Sequence, residues 1–170
     1  VDGVTEDRRT TVSVFNGPPP VIQVLPDAER EISAVGTWLM EQMEAGLAPH
    51  ELAVFVRSAA QIARAKAAVE ASGLAYKVLD ERVETTSGFV SICTMHVAKG
   101  LEFRAVAVMA CDDEVLPLQE RIETVGDGAD LQEVYETERH LLYVACTRAR
   151  DMLLVTAVEP PSEVLDDLRR

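Results

Sequence analysis

The chain has 170 residues, 48% of them hydrophobic and 26% charged, which suits one globular domain with a real core and excludes a chain disordered throughout. Its formal charge of −13 excludes a surface that grips nucleic acid broadly, because such binding rests on many Lys and Arg contacts to phosphate. No run approaches the roughly 18 apolar residues of a membrane span, and the N-terminus lacks a signal-peptide apolar region, so a cytoplasmic protein without membrane contact is expected.

Residues 1–14 read as a polar lead-in at the cut edge of a longer chain, since there is no initiator Met, and 15–168 as the domain proper. Val21 to Leu25 reads as a strand entered from the turn-forming Gly17-Pro18-Pro19-Pro20. Asp27 caps a helix with Ile32, Val35, Leu39 and Met43 on one face, and Gly46 with Pro49 ends it. Leu52 to Val56 is a near-continuous apolar strand. Ser58-x-x-Gln61 then predicts a capping box opening a helix with Ile62, Ala65 and Val69 inward and Gly73 at its end. Ala75 to Leu79, Val90 to Cys93 and Arg104 to Cys111 follow as strands. Leu131, Val134, Leu141 and Ala145 mark a helix, Met152 to Val158 is a last strand, and Ser162 to Leu168 starts a further helix. Strands alternating with helices in this way make a three-layer α/β domain with a mainly parallel sheet.

The acidic residues are unevenly spread. Between Asp112 and Glu138 there are ten acids against Arg121 alone, which reads as a solvated acidic loop, with a surface for a protein partner as the other reading. By contrast Arg57, Arg64, Lys66, Lys99, Arg104, Arg148 and Arg150 flank the segments that hold the chemistry. Cys93, Cys111 and Cys146 lie in or beside apolar runs without C-x-x-C spacing, so buried reduced thiols are expected. His50, His96 and His140 have no ligand spacing, and no metal site is expected.

Arg57 follows a buried strand and precedes a helix, at the carboxyl end of the sheet where open α/β sheets place ligands; it suits a phosphate contact or a surface position beside Ser58. Thr94 and His96 follow another strand end, where hydroxyl and imidazole can hydrogen-bond phosphates of a single strand, or where the His can be a satisfied structural residue. Gly100 permits close approach of backbone to a ligand, and Lys99 can neutralise phosphate or pair with an acid. Arg148 stands in the last turn of a helix, where a cation also suits the helix dipole. Arg150 is assigned to the surface, and Tyr143 and Val144 to core or hinge-facing packing. Asp112-Asp113-Glu114 has the look of a Mg²⁺-holding acidic run, but the chain has no G-x-x-x-x-G-K-[ST] to work beside it.

Residues 94–104, Thr-Met-His-Val-Ala-Lys-Gly-Leu-Glu-Phe-Arg, and 138–150, Glu-Arg-His-Leu-Leu-Tyr-Val-Ala-Cys-Thr-Arg-Ala-Arg, resemble motifs V and VI of the UvrD/Rep-type superfamily I DNA helicases. Leu52-Ala53-Val54-Phe55-Val56-Arg57-Ser58 resembles motif IV. The resemblance implies the second RecA-like domain of such a helicase, with a P-loop NTPase-like fold lacking the P-loop, and a 3′ to 5′ motor driven by ATP hydrolysis. It implies ATP and Mg²⁺ as cofactors, with the phosphate loop and metal contacts supplied by an N-terminal RecA-like domain of the same parent chain. On the same basis Arg57 reaches the γ-phosphate, Arg148 is the arginine finger, Glu102 faces the nucleotide ribose with Gly100 making room, and Thr94 and His96 touch single-stranded DNA. Two features depart from the family. Only residues 58–93 separate motif IV from motif V, where full-size members insert a large accessory domain, and His140 stands where a second Arg is usual. The competing expectation is a noncatalytic helicase-derived module that recruits a protein through its acidic 112–138 region.

Overall fold

The computed structural model describes residues 18–82 and 84–169; the lead-in 1–14 and Gly17 fall outside the described residues. Six strands form one sheet: β1 (Val21–Leu25), β2 (Leu52–Val56), β3 (Tyr76–Val78), β4 (Val90–Thr94), β5 (Phe103–Val108) and β6 (Ala149–Val158). Their order is β1-β6-β5-β2-β4-β3, and every neighbouring pair is parallel. All five residues of β2 are buried, as its unbroken apolar run requires of a strand covered on both faces.

Helices α1 (Ala28–Glu44) and α2 (Ile62–Ala71) cover one face, packing Val35, Trp38, Leu39, Ala65 and Val69 on Val54, Ile92 and Ala107. The opposite face carries α4 (Gly128–Cys146), the crossing segment 95–102 and a terminal 3₁₀ helix (Glu163–Arg169), with Leu142, Met95, Ala98 and Leu165 on Phe55, Val106 and Val155. Fully burying a side chain such as Phe55 or Leu39 is worth about 1.5–3 kcal/mol, so these two apolar layers hold the sheet between them. Among the described residues no helix is long and apolar enough to cross a membrane.

Local signals account for the element ends. Asp27 accepts from Arg30 N at 2.8 Å and Asp127 from Asp130 N at 3.0 Å, opening α1 and α4. The capping box expected at Ser58 does not form. Its hydroxyl donates to the Gln61 side chain at 2.6 Å instead, and a 3₁₀ turn (Ala59–Gln61) leads into α2. The acidic stretch ahead of the helix expected at Leu131 holds a short helix, α3 (Gln119–Glu123), and α4 already begins at Gly128; the helix expected at the C-terminus is 3₁₀. Tyr143 is 39% exposed and so is no part of this domain's core.

The three cysteines are buried free thiols. Burial pushes the Cys93 and Cys146 thiols up to about 12 and Cys111 well above its ordinary value, because a thiolate there would lose its hydration. All three should therefore resist an aromatic disulfide reagent near pH 8 in the folded chain and react on unfolding; reaction of any in folded protein contradicts its burial. Since the folded pKa values are raised, the stability these thiols contribute is present below the unfolded value of 9.0 and is lost as pH rises towards about 12.

Candidate functional site

Beyond β2 and β5 the chain leaves in opposite directions, towards β4 and β3 on one side and β6 and β1 on the other, so the carboxyl edge between these two strands is the switch point of the sheet. Arg57 stands there, 4% exposed. It is neither a surface residue beside Ser58 nor an open cation. Its Nε donates to Glu138 Oε1 at 2.9 Å and its Nη2 to Glu138 Oε2 at 2.8 Å, a two-pronged pair between residues 81 positions apart. Nη1 lies 3.3 Å from His96 Nε2.

Glu138 is fully buried and also accepts from Leu118 N at 2.5 Å and from Arg121 Nη1 at 3.2 Å. One carboxylate thus ties α4 to the end of β2 and to the chain entering α3. Its burial corrects the reading of 112–138 as uniformly solvated acid. The signal was in the spacing: Val134, Glu138, Leu142 and Ala145 form the buried stripe of α4, so Glu138 occupies a core position.

A second buried network lies on the opposite face of the same edge. Glu31, fully buried on the stripe of α1, accepts from Arg64 Nη1 at 2.9 Å, Thr156 Oγ1 at 2.8 Å and Ala110 N at 2.8 Å. Ala110 has φ 59°, a left-handed conformation that costs a non-glycine residue about 1 kcal/mol or more and is held here by that bond. Asp112 accepts from Arg64 Nη1 at 2.9 Å and from Val158 N at 2.7 Å, which commits it to structure and agrees with setting aside the acidic run as a metal site. Among the described residues there is no group of three or more His, Cys, Asp or Glu side chains that could hold a metal ion.

The segment 95–102 links the remaining candidates. It leaves β4 at Thr94, which is half-buried, passes the exposed His96, Lys99 and Gly100, and reaches the amino end of β5 through Leu101 and the exposed Glu102. Gly100 has φ 87° with nothing near a built Cβ, so the backbone conformation, not crowding within this domain, requires glycine. At that end stands Arg148, half-buried, its Nε donating to Val144 O at 3.1 Å, Nη1 to Leu101 O at 3.4 Å and Nη2 to Thr147 Oγ1 at 3.2 Å. Every acceptor is neutral, and no carboxylate pairs with Arg148 among the described residues. By contrast Arg64, Arg104 and Arg150 are ion-paired, Arg150 on the surface with Asp151. The structure therefore brings Arg57 to His96 and Arg148 to Leu101, at opposite ends of one crossing segment.

A six-stranded parallel sheet covered on both faces by helices and a crossing segment is a RecA-like three-layer α/β fold. Its fold matches the crystal structure of the C-terminal domain of a possible DNA helicase from Lactobacillus plantarum WCFS1, with a TM-score of 0.65 over 96% of this chain and 91% of that one at 23% identity. Residues 78–160 match the UvrD-like helicase C-terminal domain. The chain is 43% identical over 77 residues to the ATP-dependent DNA helicase UvrD1 of Mycobacterium leprae and 40% identical over 76 residues to the ATP-dependent DNA helicase PcrA of Staphylococcus aureus. Each match covers 45% of this chain but only 9% and 10% of those relatives, so the chain spans about a tenth of their length.

Proposed function

We propose that this chain is the second RecA-like domain, residues 15–168, of a longer cytoplasmic ATP-dependent DNA helicase or translocase that moves 3′ to 5′. In that protein it completes the ATP site and contacts single-stranded DNA. The observation that carries the reading is Arg148: a half-buried guanidinium oriented by neutral acceptors, with no carboxylate among the described residues to neutralise it, suits an external anion. The matched helicase domain supports the choice of a nucleotide as that anion.

Arg148 is assigned to the γ-phosphate as an arginine finger. Glu102, exposed and unpaired among the described residues, is assigned to a ribose hydroxyl, with Gly100 allowing close approach of backbone. Arg57 is not assigned to the same phosphate: it stands at the opposite end of segment 95–102 from Arg148, with Nε and Nη2 given to Glu138 and Nη1 beside His96. ATP supplies the free energy of the cycle; the phosphate loop and Mg²⁺ contacts belong to an N-terminal RecA-like domain of the same parent, against which this domain closes. Alone, the chain is not expected to hydrolyse ATP. Thr94 and His96 contact the single strand, and the exposed acids Glu120, Glu123, Asp127 and Asp130 turn a phosphate-repelling face outward, open to a protein partner.

The test compares ATP hydrolysis by the full-length parent across single-stranded DNA concentrations for the native protein and a Thr94→Ala/His96→Ala variant. Losing two hydrogen bonds of about 0.5–1.5 kcal/mol each should raise the DNA concentration for half-maximal stimulation by roughly tenfold while the DNA-free rate stays near native. An unchanged stimulation curve removes these two residues from the DNA surface.

A further inference from the structure

A guanidinium carries five N–H donors and no acceptor. At the 3.3 Å contact between Arg57 Nη1 and His96 Nε2, the imidazole nitrogen must therefore accept. That requires a neutral ring with its proton on Nδ1, because an imidazolium has no acceptor left. Arg57 cannot turn away to relieve a wrong tautomer. Its Nε and Nη2 are fixed by Glu138, which is fully buried and is itself pinned by Leu118 N and Arg121 Nη1. His96, by contrast, is exposed, and its Nδ1 has no protein partner among the described residues.

We propose that Glu138 and Arg57 are positioning residues for His96: the buried carboxylate locks the guanidinium, and the guanidinium holds the imidazole neutral, presenting Nδ1–H as one oriented donor to a phosphate oxygen of the bound strand. The choice of a strand phosphate rests on the function proposed above; the positioning chain rests on the geometry alone. A neutral donor releases no counterion from the strand, so His96 orients the strand without adding to its salt-dependent affinity.

The test is nitrogen-15 NMR of the histidine rings in the 170-residue chain at neutral pH, with His96 assigned by the signals lost in His96→Gln. The expected result is a protonated Nδ1 and an unprotonated Nε2 for His96 in the native chain. In Glu138→Gln, or in Arg57→Lys if the first variant does not fold, the ring should shift to a mixture of tautomers while the amide spectrum stays dispersed. An Nε2–H ring or an averaged mixture in the native chain overturns the proposal, and so does an unchanged ring in a folded variant. In the parent, His96→Asn should weaken single-strand binding by about threefold to tenfold with the slope of affinity against salt unchanged. A slope reduced by about one charge overturns the neutral donor. If the tautomer is as expected but His96→Asn binds DNA as the native protein does, the strand contact falls and the positioning chain stands.

Discussion

Replacing Arg148 by Ala in the full-length parent should lower single-strand-stimulated ATP hydrolysis by about a thousandfold, with nucleotide binding retained, because an arginine finger acts mainly on charge that develops in the transition state. The fold should survive. Arg148 bonds only to neutral acceptors, Val144 O and Thr147 Oγ1 at the end of α4 and Leu101 O in the crossing segment, and losing these bonds exposes no buried charge. Arg150→Ala is the matched control, since Arg150 is exposed and paired with its neighbour Asp151, and its rate should stay near native. A loss confined to KM would assign Arg148 to ground-state binding, and equal rates for native and Arg148→Ala would remove it from the chemistry.

The second large effect is on stability. Glu138→Ala leaves Arg57, 4% exposed, without its counter-charge and Leu118 N without its acceptor. Breaking a buried pair in this way costs about 3–5 kcal/mol, which urea unfolding of the 170-residue chain should show as a lower midpoint. The double variant Arg57→Met/Glu138→Leu should recover most of that loss, because removing both charges also removes the cost of burying them. A Glu138→Ala midpoint within experimental error of native would mean that Arg57 finds water or another carboxylate when its partner is cut away. The contrast separates what the pair does for the fold from what it does for His96: the apolar double variant should be stable yet no longer set the tautomer.

Much of this domain could be read before its coordinates because its apolar pattern is strong. Continuous runs such as Leu52 to Val56 announce strands buried on both faces, and the stripe of Val35 and Leu39 announces α1. The strand positions and the three-layer arrangement follow from that pattern. What escaped is carried by charged residues in apolar positions. Glu31 and Glu138 each sit on the buried stripe of a helix, and a reading that sorts residues by polarity sends both to the surface. Their partners, Arg64 and Arg57, lie 33 and 81 positions away, a distance over which local spacing says nothing. The site shows the same limit. The order of the helicase-like segments was legible, but not that Arg57 is folded inward on Glu138 while Arg148 is held by neutral acceptors.

The length of the crossing segment has its own consequence. From the end of β4 to the start of β5 the direct path is about 20 Å along and about 10 Å across the sheet, and nine residue steps could stretch to about 30 Å. The surplus is coiled into two turns, closed by Ala98 N to Thr94 O at 3.2 Å and Leu101 N to Ala98 O at 3.0 Å. Those turns are where His96 and Gly100 stand out from the surface. The coiled segment serves both ends at once: Met95 and Ala98 pack into the core beneath it while His96 and Gly100 face outward. Trimming it should therefore cost stability together with whatever His96 and Gly100 hold out to a ligand, because Met95 and Ala98 leave the core with the same turns.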